Sequence, residues 1–280
     1  MSASAEADSD SVGDAPVSAP DEKTRRSSAV PMREEGMGGL AKGIAIIESF
    51  NRERPRLTVT EAAAATGATP AAARRCLRTL EDLGYLYYDG KYFRPTPRMM
   101  RLPASYSDAA PLPLLAEARL RSLRDEFNES ASLAVLDEDN ALFIARVHAS
   151  HIVSVGVSVG ARLPAYTAAS GRVLLSALPD DELEKYLRRV RLEKRTENSL
   201  VTVAAVRKRV ERARVEGYSF TDQEIELGVR ALAVPVVDRS GNIHAAMTVS
   251  AFSSRISLDK MRDRFLPKMW DEASKLGEML

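Results

Sequence analysis

The sequence has very few of the residues that build disulfides and metal clusters. It contains one cysteine, Cys76, and three histidines, so an internal disulfide is excluded and a standard zinc cluster is not expected. Aromatic residues make up only 6% of the chain, and no apolar run approaches the roughly 18 residues that a membrane span needs. The first residues lack a basic segment followed by an apolar one, so no secretory signal is expected. We therefore predict a cytoplasmic protein without a membrane partner.

Motifs of catalysis and nucleotide binding are missing as well. We find no Gly-rich phosphate loop, nucleophile elbow or metal-ligand spacing, so no catalytic residue, metal site or cofactor is predicted. Asp222 and Glu224 could form a carboxylate pair, but two acids in a chain with 39 carry little weight. His148 and His151 lack a carboxylate or cysteine at metal spacing, and we interpret them as turn residues. An enzyme is thus a disfavoured alternative.

The net charge of +1 conceals an uneven distribution along the chain. Residues 1–38 carry four basic and eight acidic side chains, residues 39–102 carry eleven basic and six acidic ones, and the remainder is balanced. A short basic module on a neutral body is the electrostatic pattern of a DNA-binding protein. Residues 1–38 also have almost no large apolar side chains, which predicts a disordered N-terminal tail.

Helical periodicity begins after this tail. Leu40, Ile44, Ile47 and Phe50 recur at spacings of three and four, which predicts a first helix of about thirteen residues. Two further helices follow, with their expected ends marked by capping residues: Thr58 to Glu61 form a capping box for a helix over 59–66, and Thr69-Pro70 begins a helix that runs to Leu83. Their connection through Gly67 has the length of a helix-turn-helix.

Two strand-like runs come directly after the third helix. Tyr85-Leu-Tyr-Tyr88 and Lys91-Tyr-Phe-Arg94 are separated by Asp89-Gly90, a favoured two-residue hairpin turn. Three helices followed by a hairpin predict a winged helix-turn-helix.

The third helix has an apolar stripe and a polar face. Ala73, Cys76, Leu77, Leu80 and Leu83 form the stripe, so Cys76 is interpreted as a core residue. On the other faces, small residues would allow close approach to the major groove and arginines beside them would bind guanine or phosphate. Helix N-termini would add amides for phosphate oxygens, and lysines on the wing and first helix would add charge. The predicted DNA-binding residues are Lys42, Thr58, Thr60, Thr69, Ala71, Ala72, Arg74, Arg75, Arg78 and Lys91.

Several segments of the chain resemble the IclR family of bacterial regulators. They are Gly39–Phe50, Leu57–Ala63, Ala73–Leu80 and Gly84-Tyr85, followed by Ser130–Leu136, Gly160–Tyr166, Ala169–Leu175, Asp222–Glu224 and Ala233–Pro235. The resemblance covers residues 39–280, nearly everything except the tail. The Ala73-Arg-Arg75 run and Arg94-Pro-Thr-Pro-Arg98 also resemble the subgroup that controls the β-ketoadipate pathway of aromatic-acid breakdown.

This resemblance implies a two-domain α/β protein. Beyond the tail at 1–38, it implies a winged helix-turn-helix at 39–102, a linker helix at 103–128 and, at 129–280, a GAF-like α+β effector domain with a curved antiparallel sheet. It also implies a homodimer or homotetramer that binds a palindromic operator in double-stranded DNA. The residue pattern permits this arrangement, with a helix from Pro111 to Asn128, strands at 132–136, 141–147, 152–157, 231–238 and 243–251, and helices at 168–177, 179–189, 203–216 and 258–279.

The family's effector pocket maps onto scattered positions of the C-terminal half. Matched residue by residue, they are Val155, Leu163, Ala169, Ser170, Thr221, Asp222, Ala231, Thr248 and Ser250. The helix start at Ala168-Ala-Ser-Gly171 would favour a small carboxylate effector through its amides and dipole. Because Ala231 replaces a polar residue of some relatives, we favour an aromatic acid over a glyoxylate-like one, with a dicarboxylic acid still open. Thr248 and Ser250 alternate along a strand, so ordinary strand alternation is the alternative there. Arg146 and Arg162 would bind the carboxylate or form surface salt bridges.

Together these features predict a DNA-binding transcriptional regulator of aromatic-compound catabolism whose operator binding responds to a small acid. The alternative is a small-molecule sensor or protein-interaction module whose helix-turn-helix does not bind DNA.

Overall fold

The computed structural model of the chain describes residues 36–151 and 156–280. It divides into two compact units, with the division between Ala104 and Ser105. The predicted disordered tail falls almost entirely outside the described residues, as do Val155 and most of the strand expected at 152–157.

The first unit is built on three helices and a hairpin. Its elements are α1 (Gly38–Glu48), α2 (Val59–Thr66), α3 (Pro70–Asp82), β1 (Leu86–Tyr88) and β2 (Phe93–Pro95). The predicted winged helix is therefore confirmed, because the helix-turn-helix and its hairpin follow one another in the expected order. Gly67 ends α2 at a φ of 65°, a left-handed conformation that costs glycine little.

Helix α1 differs from the prediction in the face that it buries. Ile46 is fully buried, and Ile47 and Phe50 pack beside it in the core of the unit. Leu40 and Ile44, which we expected on the buried stripe, are 63% and 44% exposed. Apolar residues lie on more than one face of α1, so their spacing alone did not decide which face packs inward.

The wing has a different register from the one predicted. The turn is centred on Gly90 and Lys91, one residue later than the expected Asp89-Gly90 turn. The carboxylate of Asp89 accepts a hydrogen bond from the Lys91 amide at 3.0 Å, which holds Asp89 at the end of the strand. Leu57, just before α2, exchanges two backbone hydrogen bonds with Phe93 of β2 at 3.0 and 2.8 Å. The wing is thereby attached to the start of α2.

Beyond the wing the chain forms a 3₁₀ turn (Pro97–Met100), α4 (Arg101–Ala109) and α5 (Pro111–Phe127). The helix predicted from Pro111 to Asn128 is observed as α5, which ends where Asn128 adopts a φ of 52°. Helix α5 is part of the core of the second unit, since Leu120 and Leu123 are fully buried there.

The second unit contains a six-stranded antiparallel sheet. Its strands are β3 (Ser130–Asp137), β4 (Asn140–Val147), β5 (Arg162–Pro164), β6 (Ser219–Asp222), β7 (Val229–Val237) and β8 (Ile243–Phe252), in the order β5-β4-β3-β8-β7-β6. Irregularities in register at Leu133/Ala134 and Val236/Val237 bend the strands, as expected of a curved sheet. The short strands β5 and β6 were not predicted, because three or four residues give too little alternation to recognise.

Besides α5, the described residues of this unit form five further α-helices. They are α6 (Ala169–Ser176), α7 (Asp180–Arg189), α8 (Val203–Glu216), α9 (Leu258–Lys260) and α10 (Leu266–Gly277). The single helix predicted over 258–279 is interrupted by a π-helical turn at Met261–Phe265. Pro267 lies two residues after this turn and has no amide to donate, so a continuous α-helical hydrogen-bond ladder is not possible there.

The two faces of the sheet differ in character. One face packs against α5 and α10 through large residues such as Leu133, Met247 and Val249. The other, which we call the α6 face, meets α6 through the small residues Ala134 and Ala233. Side chains alternate between the faces along each strand, so the same strands supply large side chains to one face and smaller ones to the face that packs against α6.

Candidate DNA-binding and effector sites

Helix α3 presents a narrower polar face than the sequence suggested. Ala71, Arg74 and Arg75 are exposed, as predicted for residues that would approach DNA. Ala72, in contrast, is only 7% exposed, because it lies on the side of α3 that packs into the core. We therefore remove Ala72 from the groove-facing set. Leu83, expected in the core, is 52% exposed at the end of the helix.

Arg78 is engaged within the first unit. Its guanidinium lies 4.3 Å from the centroid of the Tyr88 ring and 5.6 Å from that of Phe93, and its Nη1 donates to Glu81 at 2.7 Å. Cation–π and ionic contacts of this kind hold the side chain against the wing. Arg74 and Arg75 are thus the arginines of α3 that project into solvent.

At the N-termini of α2 and α3, some of the predicted phosphate-binding threonines already form capping hydrogen bonds, and others are exposed. Glu61 accepts from both the amide and the hydroxyl of Thr58, at 2.7 and 2.8 Å, so the predicted phosphate contact at Thr58 competes with its own capping box. The Thr58 hydroxyl and the Thr69 hydroxyl accept from the amides of Glu61 and Ala72. Thr60 is exposed on the first turn of α2.

The wing carries a cationic cluster that sequence reasoning captured only in part. Lys91 is exposed, with its Nζ 5.0 Å from the centroid of the Tyr92 ring. Arg56, which is not among the predicted DNA-binding residues, lies over the same ring at 4.2 Å. The signal available in the sequence was the position of Arg56, a basic residue two positions before the N-cap of α2. Lys42 is also exposed, on α1.

The predicted effector residues mostly gather on the α6 face. Ala169 and Ser170 lie in the first turn of α6, while Thr248 and Ser250 lie on β8 and Ala231 on β7. Leu163 packs at the edge of the same cluster, and Thr221 is buried opposite Ala231 on β6. These seven residues come from four strands and one helix.

Two hydroxyl groups in this cluster are buried without a hydrogen bond. Ser170 and Thr248 are 1% and 3% exposed, and within the described part of the chain neither Ser170 Oγ nor Thr248 Oγ1 has a hydrogen-bond partner. A buried hydroxyl without a partner costs free energy, so such groups are uncommon in a finished core. Ser170 lies in the first turn of α6 and Thr248 on a strand that contacts α6, so both unused hydroxyls belong to the same part of the second unit.

A cation lies on the same row of the sheet. Arg146 pairs with Ser132 across β4 and β3, and Ser132 pairs in turn with Thr248 on β8. Nη1 of Arg146 donates to Ser132 Oγ at 2.8 Å, and burial lowers the pKa of this guanidinium below its ordinary value. A positive charge beside small and hydroxyl-bearing side chains fits an acidic ligand.

One predicted effector residue points elsewhere. Asp222 lies on β6 opposite Arg230, which donates to it from Nε at 2.9 Å and reaches the carbonyl of Ile256 with Nη1. Alternation along β6 puts Asp222 on the face opposite to Thr221. The prediction of Asp222 as a direct ligand contact is therefore corrected, since sequence position does not reveal strand register. Arg162 forms surface ion pairs with Asp137 and Glu138.

In residues 36–151 and 156–280, no group of three or more His, Cys, Asp or Glu side chains is arranged to hold a metal ion. Across those same ranges, no helix has the length and apolar character that crossing a membrane requires.

A winged helix-turn-helix joined to an α+β domain with unpartnered buried hydroxyls and a cation on one face of its sheet defines a transcriptional regulator that responds to a ligand. Family models support this class: the IclR helix-turn-helix domain matches residues 39–90, and the bacterial transcriptional regulator IclR C-terminal domain matches residues 104–278. The chain belongs to the IclR family of bacterial transcriptional regulators.

Individual relatives refine the comparison. The Pca regulon regulatory protein of Pseudomonas putida is 38% identical over 232 residues, covering 82% of this chain and 80% of the relative. The p-hydroxybenzoate hydroxylase transcriptional activator of Acinetobacter baylyi is 33% identical over 252 residues, covering 88% and 93%. A crystal structure of a transcriptional regulator from Rhodococcus sp. RHA1 superposes with a TM-score of 0.76 at 36% identity, covering 87% of this chain and 98% of that one.

Proposed function

We propose that this regulator controls genes for the breakdown of aromatic acids and that a small aromatic carboxylate modulates its binding to a palindromic operator. The names of the relatives support the pathway class, since one of them activates the gene of a hydroxylase that acts on p-hydroxybenzoate. The unpartnered buried hydroxyls of Ser170 and Thr248 are the observation that carries the ligand site.

The α6 face suits a ring with one carboxylate. Arg146 would bind the carboxylate, with Ser132, Ser170 and Thr248 as hydroxyl partners. Ala231 and Leu163 would contact the ring, which needs apolar lining of modest size. Ser250 and Thr221 lie one row further along the sheet and would bind a ring substituent.

For DNA we propose that α3 enters the major groove with Arg74 and Arg75 leading. Lys91, Thr60, Thr69 and Lys42 would bind phosphates, and we add Arg56 to that set because it lies beside Lys91. Arg78 would act indirectly by holding the wing. Residues 39–102 would form this DNA-binding module, 103–128 the linker and 129–280 the effector domain.

We also propose a homodimer or homotetramer. Met37, Leu40 and Ile44 form an exposed apolar stripe on α1 at spacings of three and four, with exposures of 75%, 63% and 44%. A second copy of the chain would cover this stripe and match the two-fold symmetry of a palindromic operator. The proposal includes no catalytic step, because the matched family regulates transcription, and it puts the protein in the cytoplasm with the chromosome.

Fluorescence anisotropy of the purified protein on its own upstream DNA tests this function. Titrations would be made at two salt concentrations, with and without protocatechuate, 4-hydroxybenzoate and β-ketoadipate. We expect salt-sensitive, sequence-preferring binding that one acid changes. Binding that no acid changes would reject the effector class alone. Absence of binding to every promoter fragment would instead favour the alternative of a sensor module that does not bind DNA.

A further inference from the structure

A buried ion pair joins α6 to the loop after β6, two elements that carry candidate effector residues. Arg172 of α6 has no exposed surface, and Glu224, just after β6, is 6% exposed. Nη1 of Arg172 donates to Glu224 Oε1 at 3.0 Å, and Nη2 donates to the second carboxylate oxygen. Arg172 lies two residues after Ser170 in the same helix. The ion pair is therefore attached to the helix that carries the unpartnered hydroxyl of Ser170.

The same guanidinium binds two backbone carbonyls, one before α6 and one on β6. Its Nε donates to the carbonyl of Tyr166 at 2.8 Å, in the segment that leads into α6. Its Nη1 also donates to the carbonyl of Phe220 at 3.2 Å, next to Thr221 on the edge strand β6. One side chain of α6 thus connects this helix to the segment before it and to β6. The planar guanidinium of arginine has enough donors, in a fixed arrangement, to form these bonds at the same time.

Hydrogen bonds from two hydroxyl groups hold the backbone around Glu224 in place. Ser199 Oγ donates to the Glu224 carbonyl at 2.8 Å, and Thr196 Oγ1 donates to the Gln223 carbonyl at 2.7 Å. Gln223 itself has a φ of 56°, a left-handed conformation that non-glycine residues adopt only when their surroundings require it. The loop after β6 is therefore held in one conformation around the carboxylate.

A buried ion pair is a poor choice for stability alone, because removing two charges from water costs about as much as their attraction returns. We propose that Arg172 and Glu224 are a positioning pair: they set the spacing between α6 and β6, and so the affinity with which the candidate effector residues on these elements bind the acid. This inference rests on the proposed function for the identity of the ligand, whereas the spacing itself depends only on the contacts described above.

The test compares an apolar replacement of the pair with a matched control. In the double variant Arg172→Met/Glu224→Leu no charge is left buried, so we expect folding to be retained. The control is Arg207→Met/Glu184→Leu, which removes a half-exposed ion pair between α8 and α7. Hydrogen–deuterium exchange of the full-length protein is followed in segments 166–172 and 219–224, and calorimetry measures binding of 4-hydroxybenzoate and protocatechuate.

We expect faster exchange in both segments of the first variant and an increase in Kd of about tenfold, the lower end of the scale known for removal of hydrogen bonds behind metal ligands. The control variant should match wild type in both measurements. Wild-type exchange together with wild-type affinity in a folded Arg172→Met/Glu224→Leu variant would overturn the proposal.

Arg172→Lys provides a second variant if the double variant does not fold. It keeps the charge beside Glu224 but loses the simultaneous bonds to Tyr166 and Phe220, so exchange should again rise in both segments. Unchanged exchange in Arg172→Lys would overturn the positioning role. Failure of the wild-type protein to bind either acid would reject the proposed effector class, while the exchange data would still decide the role of the pair.

Discussion

The guanidinium of Arg78 lies 4.3 Å above the ring of Tyr88, so the third helix and the wing are joined by one side chain. Glu81 holds the same guanidinium from the helix side at 2.7 Å. Residues on a helix that faces DNA are usually assumed to bind DNA. Here the geometry separates Arg78, which is occupied, from Arg74 and Arg75, which project into solvent.

Replacement of Arg78 should therefore reduce stability as well as DNA binding. For Arg78→Ala we expect the free energy of unfolding to fall by about 1 kcal/mol, because a partly exposed cation–π contact and ion pair are lost. Arg75→Ala is the matched control and should stay within about 0.5 kcal/mol of wild type. Urea unfolding measures both. Equal destabilisation by the two substitutions would contradict the distinction.

The exposed arginines should reveal their targets through salt dependence. If Arg74 or Arg75 binds a phosphate, its replacement by Ala should reduce the slope of log K against log salt by about 0.9. A base contact should instead leave the slope nearly unchanged and relax the preference for one operator position by about 1–3 kcal/mol. Anisotropy titrations on operators with single base changes distinguish these outcomes. A variant that changes neither quantity would remove that arginine from the interface.

The capping box of α2 should depend on pH. Hydrogen bonds from the Thr58 amide and then its hydroxyl hold the pKa of Glu61 below its usual value. A carboxyl group with a lowered pKa in the folded state adds stability at neutral pH, and this contribution is lost as the pH falls through that pKa.

Thr58→Ala should consequently cost about 1 kcal/mol near neutral pH, and the deficit should shrink as Glu61 becomes protonated. Thr60→Ala, on the exposed side of the same turn, should have little effect at either pH. Urea unfolding near pH 7 and in acid provides the comparison. A deficit that grows on acidification would show that the box is not the cause.

The two unpartnered hydroxyls should affect stability and binding in opposite directions. Ser170→Ala and Thr248→Val remove buried groups that lack hydrogen bonds, so the free energy of unfolding should be unchanged or higher by up to about 1 kcal/mol. Calorimetry should nevertheless show weaker binding of 4-hydroxybenzoate.

Thr196→Val is the control for these substitutions, because the Thr196 hydroxyl donates to the Gln223 carbonyl at 2.7 Å. Its removal should destabilise the protein by about 1 kcal/mol. A loss of stability in Thr248→Val as large as that in Thr196→Val would indicate that Thr248 has a structural partner.

Replacement of two helical glycines by alanine should change the stability of the protein in opposite directions. A Cβ on Gly171 would lie 2.2 Å from the Ala165 carbonyl oxygen, so Gly171→Ala requires α6 to move and should destabilise by at least about 1–3 kcal/mol. Gly43 in α1 has nothing within 4 Å of that position, and Gly43→Ala should stabilise by about 0.5–1 kcal/mol. Thermal unfolding of both variants checks the contrast. A Gly171→Ala variant as stable as wild type would imply that α6 does not pack tightly against Ala165.

Most of the helix bounds that could be predicted depend on residues close together in the sequence. The bounds of α2 followed from a capping box and a terminal glycine within eight residues, and those of α3 from Thr69-Pro70. Interactions of this range are encoded by neighbours in the chain, so they can be recognised before any tertiary contact is known. The same reasoning failed by one residue at the wing, where the Asp89 side chain selected the turn.

By itself, therefore, the sequence determined the order of helices and long strands, the winged helix and the family, because capping, periodicity and motif spacing are local properties. Only the tertiary structure decided which face of α1 is buried, that Ala72 is buried and that Asp222 lies away from Thr221. It also brought Arg172 to Glu224 and Arg146 to Ser132, across 52 and 14 positions. Such relationships depend on strand register and helix docking, which are set by packing between residues distant in the chain.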